Sequence, residues 1–280
     1  MSYNELEQRG PVGFPIAYYY VDKNNTRYEM SAHWHSELEI IRVLEGKLRV
    51  RLNEKIYFAE KDDVVFVNSE TVHSAIPEDC VYEVTVFHLD FFNSENLSCK
   101  FFAESILNHE YIIREFNTDK KAKINKAAEE LFEALRSTAS GHQMLAIGAF
   151  YKLFGIIVNE HLYMPTSGMS DILGNKSIFK LKNVLTFIRE NYDKQISLEA
   201  IAASAGMSTK YFCRFFKDLT GKTPIEYLMG YRIEKASKKL LNSDLTVTEV
   251  AFSSGFNDLS YFIKIFKREK GISPAKFRKV

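Results

Sequence analysis

The chain has 280 residues, of which 46% are hydrophobic and 26% charged. It is long enough for two globular domains and too apolar for a disordered protein. The opening MSYNELEQRGPVGF lacks a basic segment followed by an apolar one, which argues against a secretion signal. The three cysteines show no paired spacing, and the most apolar stretch, 144–158, is too short to span a bilayer. We therefore expect a cytoplasmic protein with no membrane partner.

The overall charge of +1 hides a strong asymmetry between the two parts of the chain. Residues 1–175 contain 17 Lys and Arg against 26 Asp and Glu, a net charge of −9. Residues 176–280 contain 20 against 10, a net charge of +10. A basic segment joined to an acidic one predicts a polyanionic partner for the second part only.

The first part of the chain has the pattern of a β domain. Between residues 14 and 92, short β-branched and aromatic runs alternate with turn signals, and KLRVRL and YEVTVFHL alternate apolar with polar residues. Such runs predict the strands of a sandwich or barrel. Residues 124–135 and 147–157 then repeat apolar side chains at helical spacing, which predicts two amphipathic helices. We expect a first domain over 1–163, a linker over 164–176 rich in Pro, Gly and Ser, and a second domain over 177–280.

The β region contains a pattern of potential metal ligands. HWHSELEI places His33, His35 and Glu39 close together, with Gly46 following, and DVVFVNSETVHSAIP contributes His73. The first of these resembles the first conserved motif of the cupin barrel. The second is degenerate, because Asp62, Asn68 and Glu70 stand where that family has glycines and a proline.

Two uses of these four residues stay open. Three imidazoles and a carboxylate suit zinc, iron, manganese or nickel, so a divalent transition metal is the one cofactor that they suggest. Alternatively, His33, His35, Glu39 and His73 form the polar floor of an effector-binding pocket with no metal. The loss of the turn-shaping residues before His73 favours the pocket floor.

The second part of the chain contains an internal repeat. IAASAGMSTKYFCRFFKDLTGKTPIEY aligns with VAFSSGFNDLSYFIKIFKREKGISPAKF at an offset of 49 and then 50 residues. Gly206 matches Gly255, and Tyr211-Phe212 matches Tyr261-Phe262. Each copy predicts a short helix, a turn holding a glycine and a second helix of about twelve residues. Ser197, Ser208 and Thr246 are expected N-caps.

This arrangement is the helix-turn-helix pattern, whose second helix can enter the major groove of double-stranded DNA. Helical spacing buries Phe212, Phe215, Phe216 and Leu219 in the first copy, and Phe262, Ile265 and Phe266 in the second. The side chains left outward on the two second helices are predicted to bind DNA: Lys210, Cys213, Arg214, Lys217, Ser260, Ile263, Lys264 and Lys267. Within a segment of charge +10, two such faces favour DNA over ordinary solvated surfaces.

TVTEVAFSSGFNDLSYFIKIFKREKGISPAKFR, residues 246–278, resembles the signature of the AraC/XylS family of bacterial transcription regulators. The resemblance implies two helix-turn-helix units separated by one long helix, here beginning at Pro224 and about eighteen residues or ~27 Å long. It implies base contacts at Lys210, Cys213 and Arg214 and at Leu259, Ser260, Ile263 and Lys264. It also implies a cupin-like sensor for a small-molecule effector, such as a sugar or sugar derivative, and a homodimer with RNA polymerase as a further partner. Activation and repression of transcription both stay open.

The predicted fold class is therefore α+β multidomain, with an N-terminal cupin-like β-barrel and trailing helices before a C-terminal all-α double helix-turn-helix domain. The predicted function is sequence-specific transcription regulation without catalysis. The alternative is a metal-dependent cupin enzyme with a basic helical appendage, but an enzyme gives no reason for the repeat. The helix over 147–157 either forms the dimer interface or covers the barrel. Arg42, Arg49 and Arg51 are candidate contacts for an anionic effector.

Overall fold

The computed structural model describes residues 10, 14–25, 28–89, 97–117, 122–166 and 176–279. The chain divides into two compact units between Asn175 and Lys176, a point inside the predicted linker. Residues 167–175 of that linker lie outside the described residues. The predicted linker begins too early, because Met164 and Pro165 belong to a strand of the first unit. It also ends one residue late, because Lys176 begins a helix.

The first unit is built on one antiparallel sheet of seven strands in the order β1-β6-β3-β5-β8, with β2 paired to β6 and β4 paired to β3. A separate pair, β7 and β9, completes the strands of this unit. The strands are β1 (Ile16–Val21), β2 (Met30–His33), β3 (Leu38–Leu52), β4 (Lys55–Glu60), β5 (Val64–Val67), β6 (His73–Phe87), β7 (Tyr111–Ile113), β8 (Phe116–Asn117) and β9 (Tyr163–Pro165).

Along the two longest strands, β3 and β6, buried and exposed side chains alternate, so the sheet has one inner and one outer face. Leu48, Val50 and Leu52 of β3 are fully buried, whereas Lys47 and Arg49, which alternate with them, are exposed. The register between β3 and β6 shifts on either side of Glu45. Gly46 occupies this irregularity with φ +70°, and a Cβ there would lie 2.0 Å from the Asp79 carbonyl oxygen. Only glycine permits this close approach of the two strands.

Three helices follow the sheet: α1 (Leu97–Leu107), α2 (Lys123–Arg136) and α3 (His142–Asn159). The apolar face of α3 buries Phe150, Leu153 and Ile157 in a core shared with α2 and with sheet residues. The Phe150 ring lies 4.5 Å from the ring of Phe87 on β6. The sequence predicted that this helix face either forms a dimer interface or covers the barrel. In the structure it packs against the sheet. Met144 and Leu145 remain exposed on another face of α3.

Among its described residues, the second unit consists of helices joined by loops and contains no strand. Its helices are α4 (Lys176–Asn191), α5 (Leu198–Ser204), α6 (Thr209–Thr220), α7 (Pro224–Asn242), α8 (Val247–Ser253), α9 (Leu259–Lys270) and α10 (Pro274–Phe277). The helix pairs α5–α6 and α8–α9 are the two copies of the sequence repeat. The central helix α7 has 19 residues and is therefore ~28 Å long.

Local hydrogen bonds explain where these helices begin. The Ser197 hydroxyl accepts from the Ala200 amide, and Thr246 forms a reciprocal capping box with Glu249. Ser208 occupies the predicted cap of α6, but its side chain makes no capping hydrogen bond. Sequence inspection missed a second capping box, between Thr223 and Glu226 at the start of α7. It also missed the side-chain cap of α9, which is Asp258.

Gly230 lies within α7, and a Cβ added there would meet no described atom within 4 Å. Close packing of a neighbouring element is therefore not the reason for a glycine at this position. Among the described residues, no helix combines the length and the apolar character needed to cross a membrane.

Candidate functional site

The second helix of each repeat is anchored by aromatic side chains on one face. On α6, Phe212 and Phe216 are fully buried, and the Phe216 ring meets the ring of Tyr227 on α7 at 5.5 Å. On α9, Phe262 and Phe266 are fully buried. The predicted stripe is wrong at two positions, because Phe215 and Leu219 are only half-buried.

The opposite faces of α6 and α9 carry the residues predicted to bind DNA. Seven of the eight are exposed: Lys210, Arg214, Lys217, Ser260, Ile263, Lys264 and Lys267. Cys213 is half-buried, so it presents less surface than the prediction supposed. Arg214 is 87% exposed in its side chain and lies 3.8 Å from Asp218 one turn later. Leu259, which the resemblance adds, is half-buried at the start of α9.

Two tyrosines on these helices were not singled out from the sequence. Tyr211 is 63% exposed on α6, and Tyr261 is 45% exposed at the equivalent position of α9. Their equivalence in the repeat was visible, but helical spacing alone left both between the buried and exposed faces. An exposed tyrosine beside basic residues can donate a hydrogen bond to a phosphate.

A second group of polar side chains lies inside the first unit. His33 ends β2, Glu39 is near the start of β3 and His73 begins β6, while His35 lies between β2 and β3. The ligand atoms of these four residues lie within 4.8 Å of one another. His33 and His73 are direct partners across two strands, with ring centroids 4.1 Å apart. The structure thus brings together all four residues that the sequence had singled out.

Each imidazole in this cluster is held by a backbone carbonyl. His33 Nδ1 donates to the Ser31 carbonyl over 2.9 Å, and His73 Nδ1 donates to the Thr71 carbonyl over 2.9 Å. His35 Nδ1 is 3.1 Å from the Glu37 carbonyl. Because a carbonyl can only accept, Nδ1 of each ring carries a proton, so Nε2 is a lone pair in a neutral ring and a donor in a protonated one. In metalloproteins, a hydrogen bond from the other ring nitrogen orients a histidine ligand in the same way.

The Nε2 atoms of two of these rings face one carboxylate. His35 Nε2 is 3.2 Å from Glu39 Oε2, and His73 Nε2 is 3.4 Å from the same oxygen without hydrogen-bond geometry. Glu39 Oε1 is buried and has no hydrogen-bond partner in the part of the chain that the structure describes. A lone pair on Nε2 repels a buried carboxylate unless a positive charge lies between them. That charge is either a metal ion or a second proton on the imidazole.

The ionisation of the cluster follows from its burial and its charges. Burial alone would raise the pKa of the Glu39 carboxyl, but His73 and the His35 hydrogen bond outweigh it and hold that pKa well below its usual range. Burial, then His73 and His35, lower the pKa of His33 well below that of a free imidazole. The carboxylate and the neutral His33 imidazole are the forms that coordinate metal.

The arginines considered for an anionic effector do not join this cluster. Arg42 is buried in an ion-pair network with Glu83 on β6 and Glu129 on α2, at 3.2 Å and 2.8 Å. Arg49 is exposed on the outer side of β3, where its Cα partners are Phe58 and Ile76. The expectation is therefore wrong for Arg42, whose charge is already neutralised within the protein.

Comparison with known proteins assigns a family to both units. Residues 15–154 match the family model of an AraC-like ligand binding domain, and residues 201–280 match that of a helix-turn-helix domain. The chain belongs to the AraC family of transcription regulators. The predicted resemblance and the predicted fold class, a cupin-like sheet domain followed by a helical DNA-binding domain, are both confirmed.

Relatives of known name agree with this assignment. The chain is 27% identical to an uncharacterized HTH-type transcriptional regulator, YdeC, of Bacillus subtilis, covering 99% of this chain and 96% of the relative. It is 23% identical to the Msm operon regulatory protein of Streptococcus mutans, with the same coverage. The solved DNA-binding domain of AdpA in complex with a target DNA is 36% identical over 36% of this chain and 90% of that chain, with a TM-score of 0.35.

These findings decide the function at a general level. This member of the AraC family is a DNA-binding transcription regulator with a ligand-binding domain. The alternative of a cupin enzyme is not supported, because the relatives are named as transcription regulators.

Proposed function

We propose that this regulator binds one DNA site with both recognition helices, α6 and α9, in two successive major-groove segments. The outward face of α6 contributes Lys210, Cys213, Arg214 and Lys217, and that of α9 contributes Ser260, Ile263, Lys264 and Lys267. The observation that carries the proposal is the repetition of one exposed, basic face on two anchored helices within a unit of net charge +10. The central helix α7, ~28 Å long, is comparable to the ~34 Å of one DNA turn.

Footprinting of the full-length chain on DNA selected from a random library tests this proposal. We expect protection of roughly 20 base pairs and affinity that falls steeply with salt, since several lysines neutralise phosphates. Replacing both Ile263 and Lys264 by alanine should remove protection from one end of the site only. The matched double variant on the other helix, Lys210→Ala with Arg214→Ala, should affect the opposite end. Loss of the same end in both variants contradicts the two-groove arrangement.

We further propose that the cluster of His33, His35, Glu39 and His73 binds a divalent transition metal within the sensor unit. Three features support a metal over the pocket floor that the degenerate motif favoured. Each Nδ1 is engaged by a carbonyl, the ligand atoms of all four residues lie within 4.8 Å of one another, and Glu39 Oε1 has no hydrogen-bond partner among the described residues. A bound metal would supply the positive charge that this buried set of acceptors lacks.

Within the regulator, this site would serve as the sensor. Metal binding, alone or with a sugar or sugar derivative coordinated through its hydroxyl groups, would shift the affinity for DNA by favouring one conformation of the chain. We also propose that the protein acts in the cytoplasm as a homodimer that contacts RNA polymerase and activates transcription. The exposed Met144 and Leu145 on α3 offer an apolar surface for such a dimer.

Elemental analysis and equilibrium dialysis of the full-length protein test the metal proposal. We expect near-stoichiometric zinc, iron, manganese or nickel, which a chelator removes and which His35→Ala no longer retains. His142→Ala is the matched control, because His142 also donates Nδ1 to a carbonyl but lies outside the cluster. Metal-free protein whose response to organic effectors is lost in His35→Ala supports the pocket floor instead.

A further inference from the structure

A buried arginine in the central helix connects parts of the DNA-binding unit that belong to different helix-turn-helix motifs. Arg232 lies on α7 and is only 5% exposed. Its Nε donates to the Tyr192 carbonyl and its Nη2 donates to the Lys194 carbonyl, each over 2.7 Å. Both acceptors lie in the loop between α4 and α5, directly before the first motif. Arg232 therefore ties the central helix to the segment that leads into that motif.

The same loop contacts the turn of the second motif. Gln195 Nε2 donates to the Gly255 carbonyl over 3.0 Å. Gly255 has φ +88°, and a Cβ there would lie 2.2 Å from the Tyr192 carbonyl oxygen and 2.7 Å from Arg232 Nε. Only glycine permits this approach. The Arg232 guanidinium also lies 5.9 Å from the centre of the Phe256 ring, within the range of a cation–π contact.

The chemistry of this contact requires arginine in particular. Tyr192 directly follows α4, so its carbonyl lies at the end of that helix where the aligned peptide dipoles place partial negative charge. A guanidinium presents several donors in one plane, so it can satisfy two carbonyls while its face lies against an aromatic ring. Burial lowers the pKa of Arg232, an effect that Asp193 partly opposes. A lysine would bring a single nitrogen and could not reproduce both hydrogen bonds in this geometry.

We propose that Arg232 is a positioning residue that sets the relative orientation of the two recognition helices, and thereby the separation of the two half-sites that the protein accepts in DNA. We call the arginine, the loop of residues 192–195 and Gly255 the Arg232 hub. The inference rests on the proposed binding of one DNA site by both helices. If both helices bind one site, the accepted separation of the half-sites is set by Arg232, which is buried and makes no contact with DNA itself.

The expected consequence follows from preorganisation. When the hub is intact, binding of the first half-site presents the second helix at one fixed distance and rotation, so only DNA of matching spacing gains the second contact. When the hub is loosened, the second helix samples several positions. Affinity for the optimal site then falls, whereas sites with one base pair more or less lose little additional affinity.

Competition binding by the full-length protein, on a series of sites that differ in the base pairs between half-sites, tests this proposal. The wild-type protein should lose on the order of tenfold in affinity for each base pair added or removed. Arg232→Lys should flatten this profile while binding to a single half-site stays unchanged. Ile233→Val is the matched control, because it removes one methylene from the adjacent core position and leaves the hub intact.

A second variant keeps the test decisive where Arg232→Lys fails to fold. Gln195 is exposed, so Gln195→Ala removes one hub hydrogen bond with little risk to folding, and it should flatten the profile to a smaller extent. An unchanged spacing profile in the folded hub variants overturns the inference, as does equal flattening in Ile233→Val. Failure of the wild-type protein to prefer two half-sites over one would instead refute the proposed DNA-binding mode, which separates the two failures.

Discussion

Arg42 Nη1 donates to Glu83 Oε1 over 3.2 Å, and the Glu83 side chain is fully buried. The same carboxylate accepts from Arg136 Nη2 over 2.8 Å, and Arg42 Nη2 donates to Glu129 Oε1 over 2.8 Å. Arg136 and Glu129 lie on α2, whereas Arg42 and Glu83 lie on the two longest strands. The network therefore fastens α2 to the outer side of the sheet.

Removing the central charge of this network should destabilise the first unit strongly. Glu83→Gln removes the buried carboxylate that Arg42 and Arg136 share and leaves Arg42 paired only with the more exposed Glu129, so we expect a loss of ~3 kcal/mol in the free energy of unfolding. Urea unfolding of the full-length protein measures this loss in the transition that belongs to the first unit. Lys47→Gln is the comparison, because it breaks an exposed ion pair with Glu60 and should cost ~1 kcal/mol or less. Equal effects of the two variants would contradict a buried role for Glu83.

Two exposed residues of α6, Arg214 and Lys217, should separate sequence specificity from overall affinity for DNA. Arg214 is exposed midway along α6, and we propose that it makes a bidentate contact with guanine. Arg214→Ala should cost ~1–3 kcal/mol at the selected site and relax the preference at one base pair. Lys217→Ala should weaken binding to all DNA sequences alike and reduce the salt dependence of the affinity. Binding to selected and random DNA at several salt concentrations measures both. An unchanged ratio of the two affinities in Arg214→Ala would show that the assignment is wrong.

Two glycines of the second unit should respond in opposite directions to the same substitution. Gly230 lies within a helix with open space around an added Cβ, so Gly230→Ala should raise the free energy of unfolding by ~0.5–1 kcal/mol. Gly255 has a positive φ and a carbonyl oxygen 2.2 Å from an added Cβ, so Gly255→Ala should lower it. Thermal unfolding of both variants and of the wild-type protein measures the two changes in stability. A destabilised Gly230→Ala protein would indicate that α7 needs flexibility at that position.

The capping box of α8 should contribute stability that depends on pH. Hydrogen bonds from the Thr246 side chain and backbone lower the pKa of the exposed Glu249 carboxyl. A depressed pKa in the folded state means that the contribution is present above the unfolded value of ~4.3 and is lost as pH falls through the folded pKa. Glu249→Gln should therefore be less stable than the wild-type protein at neutral pH and equally stable in acid. Urea unfolding at a series of pH values checks the convergence.

A matched substitution separates the cap itself from the charge. Thr246→Ala removes the side-chain acceptor of the Glu249 amide and should cost ~1 kcal/mol in the free energy of unfolding. Unlike the effect of Glu249→Gln, most of this loss should persist in acid, because the threonine hydroxyl does not titrate. Convergence of Thr246→Ala with the wild-type protein at low pH would assign the whole effect to the carboxylate.

The sequence determined the elements and the general function because these depend on local patterns. Helical spacing identified the buried Phe212 and Phe216 of α6 and their counterparts on α9, and a fifty-residue repeat identified the two helix-turn-helix motifs. Motif spacing also placed His33, His35 and Glu39 in one group with His73. The capping box of Thr223 and Glu226 has the same spacing as that of Thr246 and Glu249, so it was readable from the sequence although it was missed. The cap formed by Asp258 has no glutamate three residues later, so the sequence carried no such pattern for it.

Only the tertiary structure decided which charged and polar side chains are paired within the protein and which remain available to bind a ligand. Arg42 looked free in a strand pattern, but a glutamate 41 positions away and another on α2 pair with it. The same is true of Arg232, whose partners are carbonyl oxygens about 40 residues away that no side-chain pattern records. For the histidine cluster, the sequence supplied the residue types, whereas the three backbone carbonyls that hold Nδ1 decide which ring nitrogen faces Glu39. Long-range contacts of this kind arise from the path of the backbone, which spacing along the chain does not encode.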